Sequence, residues 1–181
     1  MQEYLAKRYA LALYDIGEKK NNVESILQDL REVVDIIYNN QDFQDVIKHP
    51  QISTSRKKDI FSNIYKGKID DELMAFLILL IEKERILHID EILIAFEKIH
   101  LEKNNTVVAQ IKTVVSLNED ERQRLKAKLE GIYKKNIILN EELDASIIGG
   151  VYVRVGNDAI DGTIKAKLDD MKKLMLKREV R

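Results

Sequence analysis

The stretch that decides the fold is D-A-S-I-I-G-G-V-Y-V-R-V-G-N-D-A-I-D-G-T-I-K-A-K-L-D-D-M-K-K-L-M, Asp144 to Met175. Four of the chain's seven glycines fall in it: Gly149, Gly150, Gly156 and Gly162. Between them Val151, Val153 and Val155 alternate with Tyr152 and Arg154, the period of a half-buried strand. Gly156-Asn157-Asp158 signals a turn, because Gly and Asn tolerate the positive φ that a tight reversal needs. After Asp161-Gly162-Thr163 the period becomes helical, with Ile164, Leu168, Met171 and Met175 on one stripe. Asp161 or Thr163 can cap that helix by accepting hydrogen bonds from its free N–H groups.

The glycines here shape backbone. A phosphate loop would need G-x-G-x-x-G, or a glycine followed by Lys and then Ser or Thr, and neither occurs. Asp158 and Asp161 also lack the register of an EF-hand loop.

Upstream of this unit, Val107, Ala109, Ile111 and Thr113 alternate with Val108, Gln110 and Lys112, which predicts a strand. Asn118 and Glu121 have the spacing of a capping box for a helix carrying Leu125, Leu129, Ile132 and Tyr133. Ile137-Ile138-Leu139 predicts a short strand. Residues 106–181 therefore read as a small α+β domain, with three or four strands and two helices on one face.

Residues 1–105 read differently, as an N-terminal six-helix bundle. One proline, Pro50, and abundant Leu, Ile, Lys and Glu favour helices. A first helix carries Leu5, Tyr9, Leu13 and Ile16, with Ala6, Ala10 and Ala12 small enough for a close neighbour; Gly17 before Lys19-Lys20 predicts its end. Asn21 with Glu24 resembles a cap for the second helix, which bears Val23, Ile26, Leu27, Leu30, Val33, Val34 and Ile37 as a wide apolar face. A third helix stops before Pro50, and a fourth starts among Ser53, Thr54 and Ser55 and ends at Gly67. The fifth is apolar all round from Leu73 to Ile81, which predicts burial on nearly every side, either as a central core helix or with part of it covered by a partner. The sixth carries Ile89, Ile92, Leu93, Phe96 and Ile99, with Leu101 off that stripe. The fold class is mainly α, with the small α+β domain following the bundle.

Composition excludes several functions. The absence of cysteine removes disulfides, thiolate zinc sites and thiol nucleophiles. No apolar run approaches the ~20 residues that span a bilayer. Thirty basic and 31 acidic residues nearly cancel, so no global field draws the chain to nucleic acid or anionic lipid. His49, His88 and His100 form no H-E-x-x-H and no i, i+4 pair. Adjacent carboxylates such as Glu141-Glu142 and Asp169-Asp170 point apart on regular elements, which suits solvated charge better than acid–base work. No catalytic, cofactor or metal residue stands out. The segment from Ile164 to Arg181 has seven basic and three acidic residues; this reads first as the charged outer face of an amphipathic helix, with contact to nucleic acid (as a nucleic-acid-binding adaptor), to an acidic membrane face or to a helix with acidic flanks as the alternatives.

The run I-I-G-G-V-Y-V-R-V-G-N-D-A-I-D-G-T-I-K-A-K-L resembles the C-terminal signature of the delta subunit of F-type ATP synthases, whose mitochondrial relative is the oligomycin-sensitivity-conferring protein. The signature positions are Gly149, Gly150, Gly156, Asp161, Gly162 and Thr163. Thr163 stands where the family usually has Ser, keeping the hydroxyl, and Asn157 is extra. Y-A-L-A-L-Y-D-I-G, Tyr9 to Gly17, is similar to the family's first-helix pattern, and H-P-Q-I before Arg56-Lys57-Lys58 to its Pro-x-Ile segment. Two departures are Glu84 before Arg85, and His88-Ile89-Asp90 where a proline is usual.

The resemblance implies a non-catalytic stator. The bundle, residues 1–105, would bind the N-terminal helix of an alpha subunit in a groove between the first and fifth helices. Ala6, Tyr9, Ala10 and Leu13 would form one wall, and Phe76, Leu79 and Leu80 the other. Residues 106–181 would bind the C-terminal end of the b subunit, with Leu168, Met171, Leu174 and Met175 as the contact stripe. The chain would be a single copy in a hetero-oligomer at the cytoplasmic face of a bacterial membrane, an expectation supported by a first segment without signal or transit character. It would hold the catalytic head while ion flow drives ATP synthesis.

Overall fold

The computed structural model describes residues 2–179, except for the side chains at 2, 3, 173, 174 and 176–179. Two compact units divide the chain, Met1–His100 and Leu101–Arg181. Among the described residues there are eight α-helices and one four-stranded sheet.

The first unit contains α1 (Gln2–Lys20), α2 (Val23–Asn39), α3 (Gln41–Lys48), α4 (Thr54–Tyr65), α5 (Asp71–Glu82) and most of α6 (Ile89–Lys103). Polar caps set the helix starts: Asn40 accepts from the Phe43 N–H, Ser53 from Arg56 and Asp70 from Glu72. Each satisfies an N–H that has no intrahelical partner.

The end of α1 differs from the sequence expectation. Gly17 does not stop it; the helix continues to Lys20. The stop is Asn21, left-handed at φ 54, with Asn22 N–H donating to the Gly17 carbonyl and Asn21 N–H to that of Glu18. This is the Schellman pattern, with Asn in the position usually taken by Gly. Asn21 therefore does not cap α2. Its neighbour Asn22 occupies that position without a side-chain cap bond, and its amide donates to Asp70 instead, at 2.7 Å. Gly17 serves the packing of the bundle, because a Cβ there would lie 3.2 Å from Ile26 Cδ1 and Val23 Cγ2; its bareness lets α2 approach.

The core also meets α1 on a face rotated from the expected stripe. Ala6, Ala10, Leu13 and Tyr14 are buried, whereas Leu5 and Tyr9 are half-buried and Ile16 is exposed. Small residues bring helix axes together, and the larger apolar residues are left at the seam. The same core cluster takes in Ile26, Leu30, Val33, Phe61, Leu73, Leu77, Leu80, Ile92 and Phe96. Tyr65 Oη is buried there with no hydrogen-bond partner among the described residues, and burial pushes its pKa up to about 12. An unpaired hydroxyl contributes nothing to offset its desolvation. Tyr65→Phe is therefore expected to leave stability unchanged or raise it by up to about 1 kcal/mol, read from urea unfolding midpoints; a loss larger than that would show a hidden partner.

The second unit is a sheet of order β2-β1-β3-β4. β1 (Thr106–Thr113) and β2 (Asn136–Leu143) are parallel, joined through α7 (Glu119–Tyr133). A parallel pair needs such a crossover. β3 (Val151–Val155) runs antiparallel to β1 and forms a hairpin with β4 (Asp158–Asp161). Gly156, at φ 58, is the first of two hairpin loop residues. The capping box of α7 is complete, with Glu121 N–H donating to Asn118 at 2.9 Å and Asn118 N–H to Glu121 at 3.0 Å. Ala109, Leu129, Ile137, Val153 and Val155 form the core between α7 and one sheet face.

No described residue of α8 (Ile164–Glu179) joins that core. The expectation of two helices on one face gives way to one covering helix. The crossover geometry seats α7, while α8 leaves the β3–β4 hairpin with Leu168, Met171 and Met175 exposed.

Glu141 on β2 locks the unit's polar side. It accepts from Leu117 N–H at 2.7 Å and Arg122 Nη2 at 2.7 Å, and its side chain is only 13% exposed. The Leu117 N–H and then the Arg122 guanidinium hold its carboxyl below the ordinary value of 4.5. A lowered folded pKa means that this stabilisation is full above the ordinary value and is lost as pH falls through the lowered one. Glu141→Gln is expected to cost about 2 kcal/mol at neutral pH and to reduce the pH dependence of unfolding below pH 4.5. Urea melts across that range would read both; an unchanged pH profile would contradict the assignment.

Candidate functional site

The first unit presents a concave, mainly apolar surface between α1 and α5. α1 and α5 run antiparallel, with the ion pair of Lys20 with Glu72 near one end and Tyr9 against Phe76 further along, ring centroids 6.2 Å apart. Between them lies a cleft of about 450 Å3 lined by Leu5, Arg8, Tyr9, Ala12, Leu13, Ile16, Glu72, Ala75, Phe76 and Leu79.

The two walls follow from helical periodicity. α5 is apolar all round, yet a unit of this size covers only part of it. Leu73, Phe76, Leu77, Leu80 and Ile81 turn inward, leaving Ala75 and Leu79 exposed, one turn apart. Leu79 is 39% exposed and Ile16 is 37% exposed, so both present apolar surface to the cleft. At its Glu72 end the start of α5 is fixed by polar contacts: Asp70 N–H donates to Asp29 at 2.8 Å, and Asn22 donates to Asp70.

Tyr9, Leu13, Phe76 and Leu79, named from the sequence, meet in this cleft. Ala6, Ala10 and Leu80 do not line it. Ala10 and Leu80 are fully buried and Ala6 is 5% exposed, because the small face of α1 and the inner face of α5 make the unit's own core. The sequence reading missed Leu5, Arg8, Ala12, Ile16, Glu72 and Ala75. Their signal was present in the outer stripe of each helix, but periodicity alone does not say which stripe faces inward.

A second cleft of about 450 Å3 lies by the α3–α4 connection, lined by Lys48, Ser53, Thr54, Lys57 and Glu84 together with apolar residues. Its Lys57 already donates to the Ile47 carbonyl at 2.6 Å. The α1–α5 cleft is the better receptor for an amphipathic helix because its lining is mainly apolar.

In the second unit the signature residues surround one junction. Asp161 accepts from Thr163 N–H at 3.0 Å, and Thr163 Oγ1 accepts from Ala166 N–H at 3.1 Å, so both capping groups act. Gly162 N–H donates to the Val151 carbonyl, and Ile164 N–H to that of Gly149. Gly150 and Gly156 hold positive φ. This junction sets where α8 departs. Leu168, Met171 and Met175 lie exposed on α8; the side chain of Leu174 is outside the described residues.

Among the described residues no group of three or more His, Cys, Asp or Glu side chains could hold a metal, and no helix is long and apolar enough to cross a membrane. The histidines have local contacts: His49 accepts from Gln51 N–H, His88 meets Glu91 at 3.2 Å, and His100 lies beside Tyr14.

The family described as ATP synthase delta (OSCP) subunit matches residues 5–175. The ATP synthase subunit delta of Clostridium perfringens is 63% identical over 179 residues, 99% of this chain and 100% of that relative. That of Clostridium botulinum is 58% identical over the same coverage. A chain in the structure of the Toxoplasma gondii mitochondrial ATP synthase hexamer, 22% identical, superposes with TM-score 0.67 over 95% of this chain and 97% of that one, a likeness of fold. With a family match across nearly its whole length and relatives well above half identity, the chain belongs to the ATP synthase delta (OSCP) subunit family.

Proposed function

We propose that the α1–α5 cleft receives the N-terminal amphipathic helix of the ATP synthase alpha subunit, while the exposed stripe of α8 meets the C-terminal end of the b subunit. As a member of its family the chain is a non-catalytic, peripheral-stalk component of an F-type ATP synthase. Residues 1–105 would then grip the catalytic head and residues 106–181 the stalk. The complex would hold the chain at the cytoplasmic face of a bacterial membrane.

One observation carries the reading: an open cleft whose exposed apolar residues, Ala12, Ile16, Ala75 and Leu79, lie on the outer stripes of two packed helices. An incoming helix removes that surface from water, at about 25 cal/mol per Å2 of apolar area. A part that resists torque needs slow dissociation, which a well-packed apolar seat supplies. The Met-bearing stripe of α8 suits a second helix contact, since Met adapts to irregular partners.

The test is add-back. ATP synthase stripped of this chain should keep ATP hydrolysis by the catalytic head but lose ion pumping in vesicles, and purified chain should restore pumping. Full pumping without the chain would contradict the stator reading. Salt-sensitive binding of DNA or RNA would support the adaptor alternative, which neither the near-neutral charge nor the family favours.

A further inference from the structure

We infer that the cleft reads charge as well as shape: Arg8 and Arg85 form a carboxylate-recognising end, and the helix that docks there carries an acidic side chain at that end. This rests on the cleft being the alpha-subunit seat and names what selects the occupant within it.

Beyond Leu5 and Tyr9 the cleft continues into a notch lined by Ala6, Arg85, His88 and Ile92, and the same Leu5 and Tyr9 line both. Arg8 lies on the cleft side of this pair and Arg85 on the notch side. Both arginines are exposed, and neither has an ion pair or side-chain hydrogen bond among the described residues. Among the described residues the nearby acids offer no partner: Glu91 pairs with His88, and Glu84 makes no ion pair with its neighbour Arg85. The opposite end is self-satisfied, because Lys20 neutralises Glu72, and Asp70 is held by Asn22 and by the Glu72 N–H.

An occupant therefore meets one neutralised end and one end with two unmet cations. Arginine is suited to this, since its planar fork binds carboxylate with two parallel N–H bonds. Apolar burial alone would let an amphipathic helix slide by a turn or reverse. A carboxylate between Arg8 and Arg85 would fix its register, the specificity role that charge plays at interfaces.

The experiment titrates the full chain, by calorimetry at two salt concentrations, with a peptide copying the first ~20 residues of the same organism's alpha subunit, a length that covers the cleft at 1.5 Å per helical residue. Arg8→Gln combined with Arg85→Gln is expected to weaken binding about tenfold and to flatten its salt dependence. A peptide with its carboxylates changed to amides should lose the same factor, and should lose nothing further on the double variant. Both arginines are exposed and the peptide changes leave the protein untouched, so loss of fold cannot mimic this pattern.

Wild-type affinity and salt dependence in the double variant, with Leu79→Glu abolishing binding, would overturn the charge reading and leave the cleft standing. A weakening that the amide peptide does not share would also overturn it. If Leu79→Glu binds like wild type, the cleft itself is not the seat and both readings fall.

Discussion

Gly150→Ala is expected to destabilise the second unit by about 3 kcal/mol or more, the sum of left-handed strain and overpacking. Gly150 sits at φ +89, and a Cβ there would lie 2.5 Å from the Gly162 carbonyl oxygen and 2.8 Å from Thr163 Cα. Both obstacles are backbone. They cannot retreat, because Gly162 N–H donates to Val151 and Ile164 N–H to Gly149, tying the two segments together. The core they border is small, with six buried hydrophobic residues among the described ones of the unit, so a loss of this size is a large share of the stability such a unit can hold. Hydrogen exchange at the β3 and β4 amides is the suitable readout, because the chain has two units and one melting curve would blend them. Protection should fall there and persist in α2 and α5. Wild-type protection in β3 would mean that the two loops are not held as tightly as the geometry indicates.

The second large effect is on binding. Leu79→Glu places a carboxylate on the cleft wall, where an occupant helix would have to desolvate it against apolar surface. A loss of about 100-fold or more in affinity for the alpha-subunit peptide is expected, the scale of a central hot spot. The fold should survive, because Leu79 is 39% exposed and its inward neighbours Leu77 and Leu80 are unchanged. Ala10→Asp would be a poor partner for it: Ala10 is fully buried, so that change would place an unpaired charge in the bundle core. Ala12→Asp, on the exposed side of α1, is the suitable second variant. Unchanged affinity in Leu79→Glu would remove the cleft from the account.

The sequence disclosed most where the chemistry is local. The Asn118–Glu121 capping box, the alternation of β1, the cap of α8 and the turn at Gly156 all depend on residues within a few positions of one another. It disclosed less where a decision depends on distant chain. Gly17 reads as a stop by itself, and only the approach of Val23 and Ile26 shows why glycine stands within the helix. The parallel pairing of β1 with β2 is a register fact that alternation cannot give, and the Glu141 lock joins residues 19 and 24 positions apart.

The cleft was half legible for the same reason. The family resemblance implied a groove between α1 and α5 and so named Tyr9, Leu13, Phe76 and Leu79 on its walls. It could not tell that Ala6, Ala10 and Leu80 would be used up inside the unit, because which stripe faces inward is settled by neighbouring helices. Arg8 and Arg85 carried no signal alone; their meaning lies in flanking the same Leu5–Tyr9 pair from positions 77 residues apart. On α8 the stripe was legible, but the exposure of Leu168, Met171 and Met175 was not.

Calorimetric titration of the full chain with the alpha-subunit N-terminal peptide tests whether the α1–α5 cleft is the seat. Saturable one-to-one binding is predicted, with a negative heat-capacity change from burying the apolar walls of the cleft and an ordering cost as the peptide becomes helical. That binding should vanish in Leu79→Glu. Absence of binding by folded wild-type chain to intact peptide, or binding indifferent to Leu79, would contradict the assignment of this cleft as the seat that joins the chain to the catalytic head.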